Sequence, residues 1–581
     1  ENISVPLARA LCQIEENGIL IDMPRLEELS GWYREKIQAL TKELGEMCEV
    51  HKLTPIDSWT NDNQLRAWLF NDDYEWVLKK PTKTLPAHIR IMKGLDAPDY
   101  MAWKSKKTKL PSTGKKSMTA LKNWCNEEVR FEMRIIDGRD VRVATKTPLS
   151  PRTIEKRAWK MKFLLKIEEL KKATKAKNQF LDGDDSKEVV GAKALLAHIK
   201  ADGRVHSSYN QLIETARLSS KDPNLQNISN TAECKLHEKT RCPVGCVNEY
   251  RHYSIRSMYT VPDDCVWLAA DYRSEEVRII AYLAQEDSLL AALFLCECGE
   301  DFSPTDSNPS RPLEQRGHEK TTGHKATDIH QMVAARVFNV AYEVVTKEQR
   351  RQCKSVTFGM AYGQTDQGLA EALGWAVKRA KAFSDFYFKA FPKLATFRNR
   401  RFIQVEKGHN IPNAFGRLRH TFGPLEMAGW VERYEYRKIL SALQRERLNY
   451  DTQSSAADVI SLCTIALADV WGYEDGDLTD AHKLGIKICG FAPAVRLKEL
   501  GVKIINTVHD ALEFECPKAV EEEARDIIEK VMVELPWRLL GWYLPVDLSS
   551  GRYWDDTGDY DEYSEEREAQ EYVDTPEEEA V

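Results

Sequence analysis

No run in this chain of 581 residues reaches the ~20 consecutive apolar residues that a membrane-crossing helix requires, and no leader pattern opens it. The 13 cysteines fall into no regular framework, which argues against a disulfide-stapled secreted domain and for reduced thiols in an intracellular setting. An initiating methionine is also lacking; the first residue is Glu1, as expected of a processed product or an excised fragment. What is present is length and apolar content enough for several cores, since 581 residues exceed one hydrophobic core and 42% of them are apolar. The net charge of −7 counts against a polyanionic partner until it is located. The stretch 555–581 holds 13 acids against one arginine, a net of −12, which leaves +5 for everything before it. That tail has little to bury and is expected to be disordered, either inert or bound to a basic partner.

One stretch organises the rest. TKEQRRQCKSVTFGMAYG, from Thr346 to Gly363, reads as a helix opened by a Thr346/Gln349 capping box and stopped at the glycine. Arg350, Lys354, Phe358 and Tyr362 recur every four residues, so they stay on one face over ~18 Å. Two cations lead and two rings follow, an order that suits a nucleoside triphosphate lying along the helix. The same spacing also suits an amphipathic helix with core rings and solvated cations.

Two acidic stretches flank that helix in the chain. The apolar run VWLAA from Val266 to Ala270 reads as a buried strand ending at Asp271, followed by a helix that Ser274 can cap and that Val277, Ile280, Ala281 and Ala284 anchor. VKIINTVHDALEFECP reads as strand, tight turn and strand, with His509 and Asp510 at the bend. Two aspartates on adjacent strand ends suit hard divalent cations such as Mg²⁺, which take oxygen ligands and substrate phosphates. Either aspartate alone is an ordinary turn residue.

These three stretches, in this order, resemble motifs A, B and C of family A DNA polymerases. The resemblance extends to ENISVPLARALCQIEENGILID, to RVHSSYNQLIETARLSSKDPNLQNIS, to DIHQMVAARVF, to FGRLRH and to QRERLNYDTQSSAADVI, and so covers Glu1 to about Asp556. It implies an α+β right-hand polymerase with an antiparallel-sheet palm, helical fingers and a helical thumb. The implied organisation is 1–53 as the N-terminal part of the polymerase domain, 54–200 thumb, 201–290 palm with an insertion at 231–252, 291–425 fingers with an insertion at 296–323, 426–556 palm and 557–581 tail. No room is left before Glu1 for a proofreading domain, so 3′→5′ and 5′ nuclease activities are expected to be absent from this chain.

The implied activity is template-directed extension of a primer 3′-hydroxyl with dNTPs by two Mg²⁺ ions. Asp271, Asp510 and the Tyr272 carbonyl would hold the ions, Lys354 would neutralise the leaving pyrophosphate, and Arg350 and His330 would hold phosphates. Phe358 and Tyr362 would meet the base, Phe358 implying poor use of dideoxynucleotides, and Glu276 corresponds to the family's steric gate against ribose. Arg217, Asn224, Gln226, Asn227 and His509 would contact primer-template near the site. Arg445, Asn449 and Gln453, again four apart, would offer donors to minor-groove N3 and O2 acceptors. Lys106 and Lys107, in a lysine cluster with Lys104, Lys109, Lys115 and Lys116, would track phosphates if that loop is the thumb tip, and otherwise form a solvated surface. The expected partners are thus primer-template DNA and dNTPs, for a monomer in the cytoplasm of a bacterial or phage-infected cell.

Four features depart from the family pattern. Ala511 follows the His-Asp pair where an acid is common, and Glu275 replaces an apolar residue. The insertion near Cys234, His237, Cys242 and Cys246 has spacing that admits a structural Zn²⁺, or is coincidental clustering. The insertion near Cys298, His318 and His324 reads as a loop. A lesion-bypass or repair polymerase, or a non-catalytic DNA-binding homologue, remains the alternative to a replicative enzyme.

Overall fold

A computed structural model describes residues 3–50, 55–69, 118, 122, 129–136, 139–148, 151–183, 194–213, 215–228, 253–294, 328–346, 349–350, 353, 359–360, 363–373, 377–419, 432–468 and 479–554. The chain separates into two compact units, one of residues 1–22 with 199–581 and one of residues 23–198.

The unit 23–198 is built on the helices Met23–Val50 and Pro151–Phe180, which pack on each other together with Asp62–Leu69. Leu40, Leu44, Trp59, Phe163, Leu164 and Ile167 recur at helical spacing and form its core. Lys166 to Glu43 (2.8 Å) and Arg34 to Asp182 (2.9 Å) tie the rim. A hairpin, Val129–Ile136 with Arg139–Pro148, completes the unit.

In the other unit the opening segment is helix and then strand. The helix Ser4–Asn17 stops at Gly18, and Ile19–Ile21 becomes a strand between Arg204–Val205 and Tyr259–Thr260. Gly18 sits at φ 56°, and a Cβ there would stand 2.9 Å from the Val205 carbonyl oxygen, so only glycine permits this close return.

The central element is a four-stranded antiparallel sheet, in the order Lys503–Val508, Ala511–Pro517, Cys265–Tyr272, Val546–Gly551. Side chains alternate across it. Leu268, Ala270, Tyr272, Leu512, Phe514 and Cys516 face a core shared with Val459, Ile460, Cys463, Ile528 and Val531 of the helices Arg433–Leu467 and Glu521–Leu540. Trp267, Asp271, Glu513 and Glu515 belong to the opposite face by the same alternation.

That second face is closed at one end by an aromatic cluster. Trp554 stacks on Trp267 with ring centroids 5.6 Å apart, Tyr259 meets it edge-on at 5.3 Å, and the Arg256 guanidinium lies 4.6 Å above it. The indole N–H groups of Trp267 and Trp554 both donate to the buried Glu513 carboxylate. Burial raises the Glu513 pKa from 4.5 to about 7 in spite of those donors. Its unfolded-state pKa is the lower of the two, so the native state holds the extra proton between pH 4.5 and about 7. Stability is therefore expected to fall as pH rises through that window, by about 3 kcal/mol in all. Urea unfolding of wild type and Glu513→Gln across that window checks this: the wild-type midpoint should fall relative to the variant, and parallel profiles would refute it.

A second core is purely helical. Val333, Met360, Leu369, Phe383, Tyr387, Leu394 and Phe397 meet Val277, Ile280, Ala281 and Ala284 there. The helix Glu275–Ala284 thus lies between two cores, because Ile279 on its other side enters the first. Its start is thereby fixed from both sides. All four residues of the expected stripe are buried. Ser274 stands at the N-cap in a left-handed conformation (φ 53°) and makes no side-chain capping bond; its carbonyl accepts from Val277 and Arg278 instead. Among the described residues no helix is long and apolar enough to cross a membrane. Cys12, Cys48, Cys265, Cys353, Cys463, Cys489 and Cys516 are free thiols.

Candidate functional site

Strand pairing brings the two sequence-selected aspartates together. Ala511 pairs with Asp271, and the Tyr272 amide donates to the Asp510 carbonyl at 3.4 Å. The turn between the hairpin strands is held by His509 at φ 57°, which swings Asp510 onto the end of the neighbouring strand. Tyr272 points the other way; its hydroxyl donates to the Met532 carbonyl at 2.7 Å and lies 3.2 Å from Cys463 Sγ. The main chain at Asp271 is consequently gripped by the sheet on both edges, since Asp547 pairs with it on the far side. Partial burial and the Arg217 charge hold the His509 pKa below its usual range, against the pull of Asp510.

Five carboxyl groups collect around this point. Like charges opposite each other in a sheet repel, and Arg273 relieves the Asp271/Asp547 pair by bonding both Asp547 oxygens from Nε at 3.1 Å. Glu276 is paired with Arg217. Glu275 is different: the residue is 2% exposed, it makes no ion pair among the described residues, and its Oε1 is buried without a hydrogen bond. Burial, and then the charges of Asp510, Glu276 and Asp271, push its carboxyl well above the usual range, with Arg217 opposing. Glu276 is raised for the same first reason, burial, with Arg217 pulling it back.

This donor set fits divalent Mg²⁺ in kind, because all the groups are hard oxygens and two of those oxygens, Asp271 Oδ1 and Glu275 Oε1, are buried and accept no hydrogen bond. Among the described residues no three His, Cys, Asp or Glu side chains are close enough to cage a metal by themselves. A site with two carboxylates that relies on substrate phosphates and water for its remaining ligands accords with that.

The start of the organising helix follows the sequence reading. The Gln349 amide donates to Thr346 Oγ1 at 3.2 Å, and Gln349 Oε1 accepts from the Thr346 amide at 2.9 Å, the reciprocal bonds of a capping box. Its end does too: Gly363 is left-handed at φ 73°, and a Cβ there would meet Arg445 Cγ at 3.3 Å. Arg350 is half-buried and ion-paired; its Nε donates to Asp328 Oδ2 at 2.5 Å. Asp328 Oδ1 meanwhile caps the helix Ile329–Phe338 by accepting from the His330 and Gln331 amides at 2.8 and 3.0 Å. One carboxylate thus brings His330 and Arg350 together. Sequence reasoning missed Asp328, although an aspartate two residues before a histidine at a helix start is the pattern of such a cap. Lys354, Phe358 and Tyr362 lie outside the described residues, as do Lys106, Lys107, Cys234, His237, Cys242, Cys246 and the acidic tail.

Arg445, Asn449 and Gln453 form a half-buried stripe along Arg433–Leu467, between fully buried neighbours such as Leu448 and Thr452. Asn224 accepts from the Asn227 amide at 3.1 Å and so shapes a short turn, from which Gln226 donates to the Thr507 carbonyl at 3.3 Å. That bond ties the segment after Arg217 to the hairpin that carries Asp510. A cavity of about 590 Å³ opens beyond Gly363, lined by Lys381, Phe388, Arg398, Phe402 and Arg445. Within it the Arg398 guanidinium lies 3.8 Å from the Phe388 ring centroid.

With this geometry established, comparison with known proteins gives a consistent answer. The family model for DNA polymerase family A matches residues 144–556, and the chain belongs to that family. Its similarity extends to DNA polymerase I of Bacillus subtilis (29% identity over 358 residues, 61% of this chain and 31% of that protein) and of Pseudomonas aeruginosa (28% over 360 residues, 61% and 30%). The thermostable DNA polymerase I of Thermus filiformis is 27% identical over 358 residues, 61% of this chain and 32% of that protein. The matched part of the chain spans about a third of the length of these relatives. The fold is that of the POL domain of Pol1 from M. smegmatis, solved in complex with DNA primer-template and dNTP, at a TM-score of 0.61 and 23% identity, covering 96% of this chain and 70% of that one.

Proposed function

We propose that this chain is a template-directed DNA polymerase that extends a primer 3′-hydroxyl with deoxynucleoside triphosphates and releases pyrophosphate. The observation that carries the reading is the register Ala511 to Asp271, which sets two acids from distant parts of a family A chain on adjoining strand ends. Divalent ions held by Asp271, Asp510 and the Tyr272 carbonyl would supply activation of the hydroxyl and charge neutralisation on the triphosphate. Arg350 and His330, gathered by Asp328, would take the phosphates; Arg350 exchanges one anionic partner for another on binding. Lys354 would stabilise the departing pyrophosphate, with Phe358 and Tyr362 against the base.

On this reading the four-stranded sheet and its helices are the palm, the helices Ile329–Phe338, Asp366–Leu373, Val377–Ala390 and Pro392–Glu406 belong to the fingers, and the unit 23–198 contains the thumb. Arg445, Asn449 and Gln453 would follow the minor groove, and the cation-lined cavity with Phe388 and Phe402 suits an unpaired template base. Primer extension with dNTPs and Mg²⁺ tests the whole proposal. A chain that binds primer-template yet adds no nucleotide would instead be a non-catalytic homologue.

Sugar selection offers a separate test. Glu276 occupies the first turn after Asp271 and is held by Arg217, so its side chain has a fixed position in which to exclude a ribose 2′-hydroxyl. Glu276→Ala is expected to raise ribonucleotide incorporation relative to deoxynucleotide by about tenfold or more. Competition assays with matched rNTP and dNTP read this directly, and unchanged discrimination rules the gate out.

A further inference from the structure

Asp328 is held more firmly than a helix cap requires. Its Oδ1 accepts from the His330 and Gln331 amides at 2.8 and 3.0 Å, and its own amide donates to the Tyr342 hydroxyl at 3.0 Å. Gln331 Nε2 ties the same turn to the Tyr342 carbonyl at 2.9 Å. The remaining oxygen, Oδ2, accepts from Arg350 Nε at 2.5 Å, across 22 residues of chain. The two ends of that ion pair are unequal: the Asp328 side chain is 7% exposed and the Arg350 side chain 27%. Asp328 is thus the fixed partner, and Arg350, on a long and half-exposed side chain, is the one that can leave. A phosphate oxygen offers a guanidinium the same charge-assisted bond that this carboxylate does. A triphosphate reaching both His330 and Arg350 would lie against Asp328, and like charges a few ångströms apart repel strongly where water is partly excluded. We propose that Asp328 is a competitor built into the nucleotide site: it holds Arg350 in place of a phosphate oxygen, so each incoming triphosphate has to displace it. The inference rests on the assignment of Arg350 to the triphosphate made above. Such an exchange weakens apparent affinity in proportion to the fraction of molecules in which Arg350 is released, and leaves the rate of the bound complex unchanged. Run backwards, it returns Arg350 to Asp328 as pyrophosphate departs.

The test uses the full chain with primer-template and one matched dNTP in single-turnover extension, which separates the apparent dNTP Kd from the maximal rate. Inorganic tripolyphosphate, which has neither base nor sugar, serves as a competing ligand. Asp328→Asn keeps a helix cap of equal quality and removes the charge. It is expected to lower the apparent dNTP Kd and the tripolyphosphate inhibition constant about tenfold each, the scale of one charge-assisted hydrogen bond, with the maximal rate unchanged. Loss of any negative charge near the site would act in the same direction, so Arg350→Ala supplies a second background. There Asp328→Asn is expected to change neither constant, because no guanidinium is left to release. Constants equal to or higher than wild type in Asp328→Asn overturn the inference, and so does a gain that persists in the Arg350→Ala chain. An Asp328→Asn chain that unfolds at lower urea with both constants unchanged marks Asp328 as a cap only, which also overturns it. The assignment of Arg350 fails separately, and takes the inference with it, if Arg350→Ala alone leaves the dNTP Kd at its wild-type value.

Discussion

Replacing Asp271 by Ala, or Asp510 by Asn, is expected to slow primer extension by about three orders of magnitude, ~4 kcal/mol of transition-state stabilisation. Single-turnover extension measured with saturating dNTP and Mg²⁺ gives the number. Primer-template affinity should change little, because Arg445, Asn449 and Gln453, the donors proposed to follow the minor groove, lie on another element. The fold should also survive, since the sheet grips residue 271 by its main chain, through Ala511 and Asp547. Removing one acid from the cluster relieves repulsion among the others, so both variants are expected to be at least as stable as wild type. A variant that keeps extension within tenfold of wild type would show that the chemistry lies elsewhere.

The largest effect on stability is expected at Trp267. Its side chain is fully buried, stacks on Trp554 and donates to Glu513, so Trp267→Ala leaves a cavity and takes one donor from a buried carboxylate. A loss of about 4 kcal/mol follows from the cavity alone, a large share of the ~5–15 kcal/mol by which domains are usually stable. Urea unfolding followed by the remaining tryptophans checks this. The same variant, assayed well below its unfolding midpoint, should keep its activity per folded molecule, because Trp267 lies four residues before Asp271 on the same strand, toward its other end. Loss below about 1 kcal/mol would mean that the Trp554 ring collapses into the space.

Much of this was legible in the sequence wherever a single local rule decided the matter. VWLAA announced a buried strand because β-branched and apolar residues run without interruption to an acid, and the capping box from Thr346 was readable because its two partners are three residues apart. The aspartate pairing was legible only as a resemblance; the register itself depends on hydrogen bonds across 240 residues of chain, from Asp271 to Ala511. Features set by tertiary contact were missed. Gly18 reads as one more residue in a helical opening until Val205 is seen against it. Ser274 has the right identity for a cap, yet it is left-handed in the turn after Asp271 and its hydroxyl makes no capping bond. Glu275 looks like an ordinary acid in a helix's first turn, and nothing in EEVRII reveals that two cores meet around it.

The order of strands in the central sheet bears on how the molecule is made. The strand ending at Asp271 has no neighbour in the sheet until Ala511–Pro517 and Val546–Gly551 have left the ribosome, hundreds of residues after it. While residues 273–510 are being made both its edges stay open to other chains, a hazard for any apolar strand. Expression at lower temperature, or with chaperones that shelter nascent segments, should therefore raise the soluble yield, and ribosome-stalled chains that stop before residue 511 should be the aggregation-prone species.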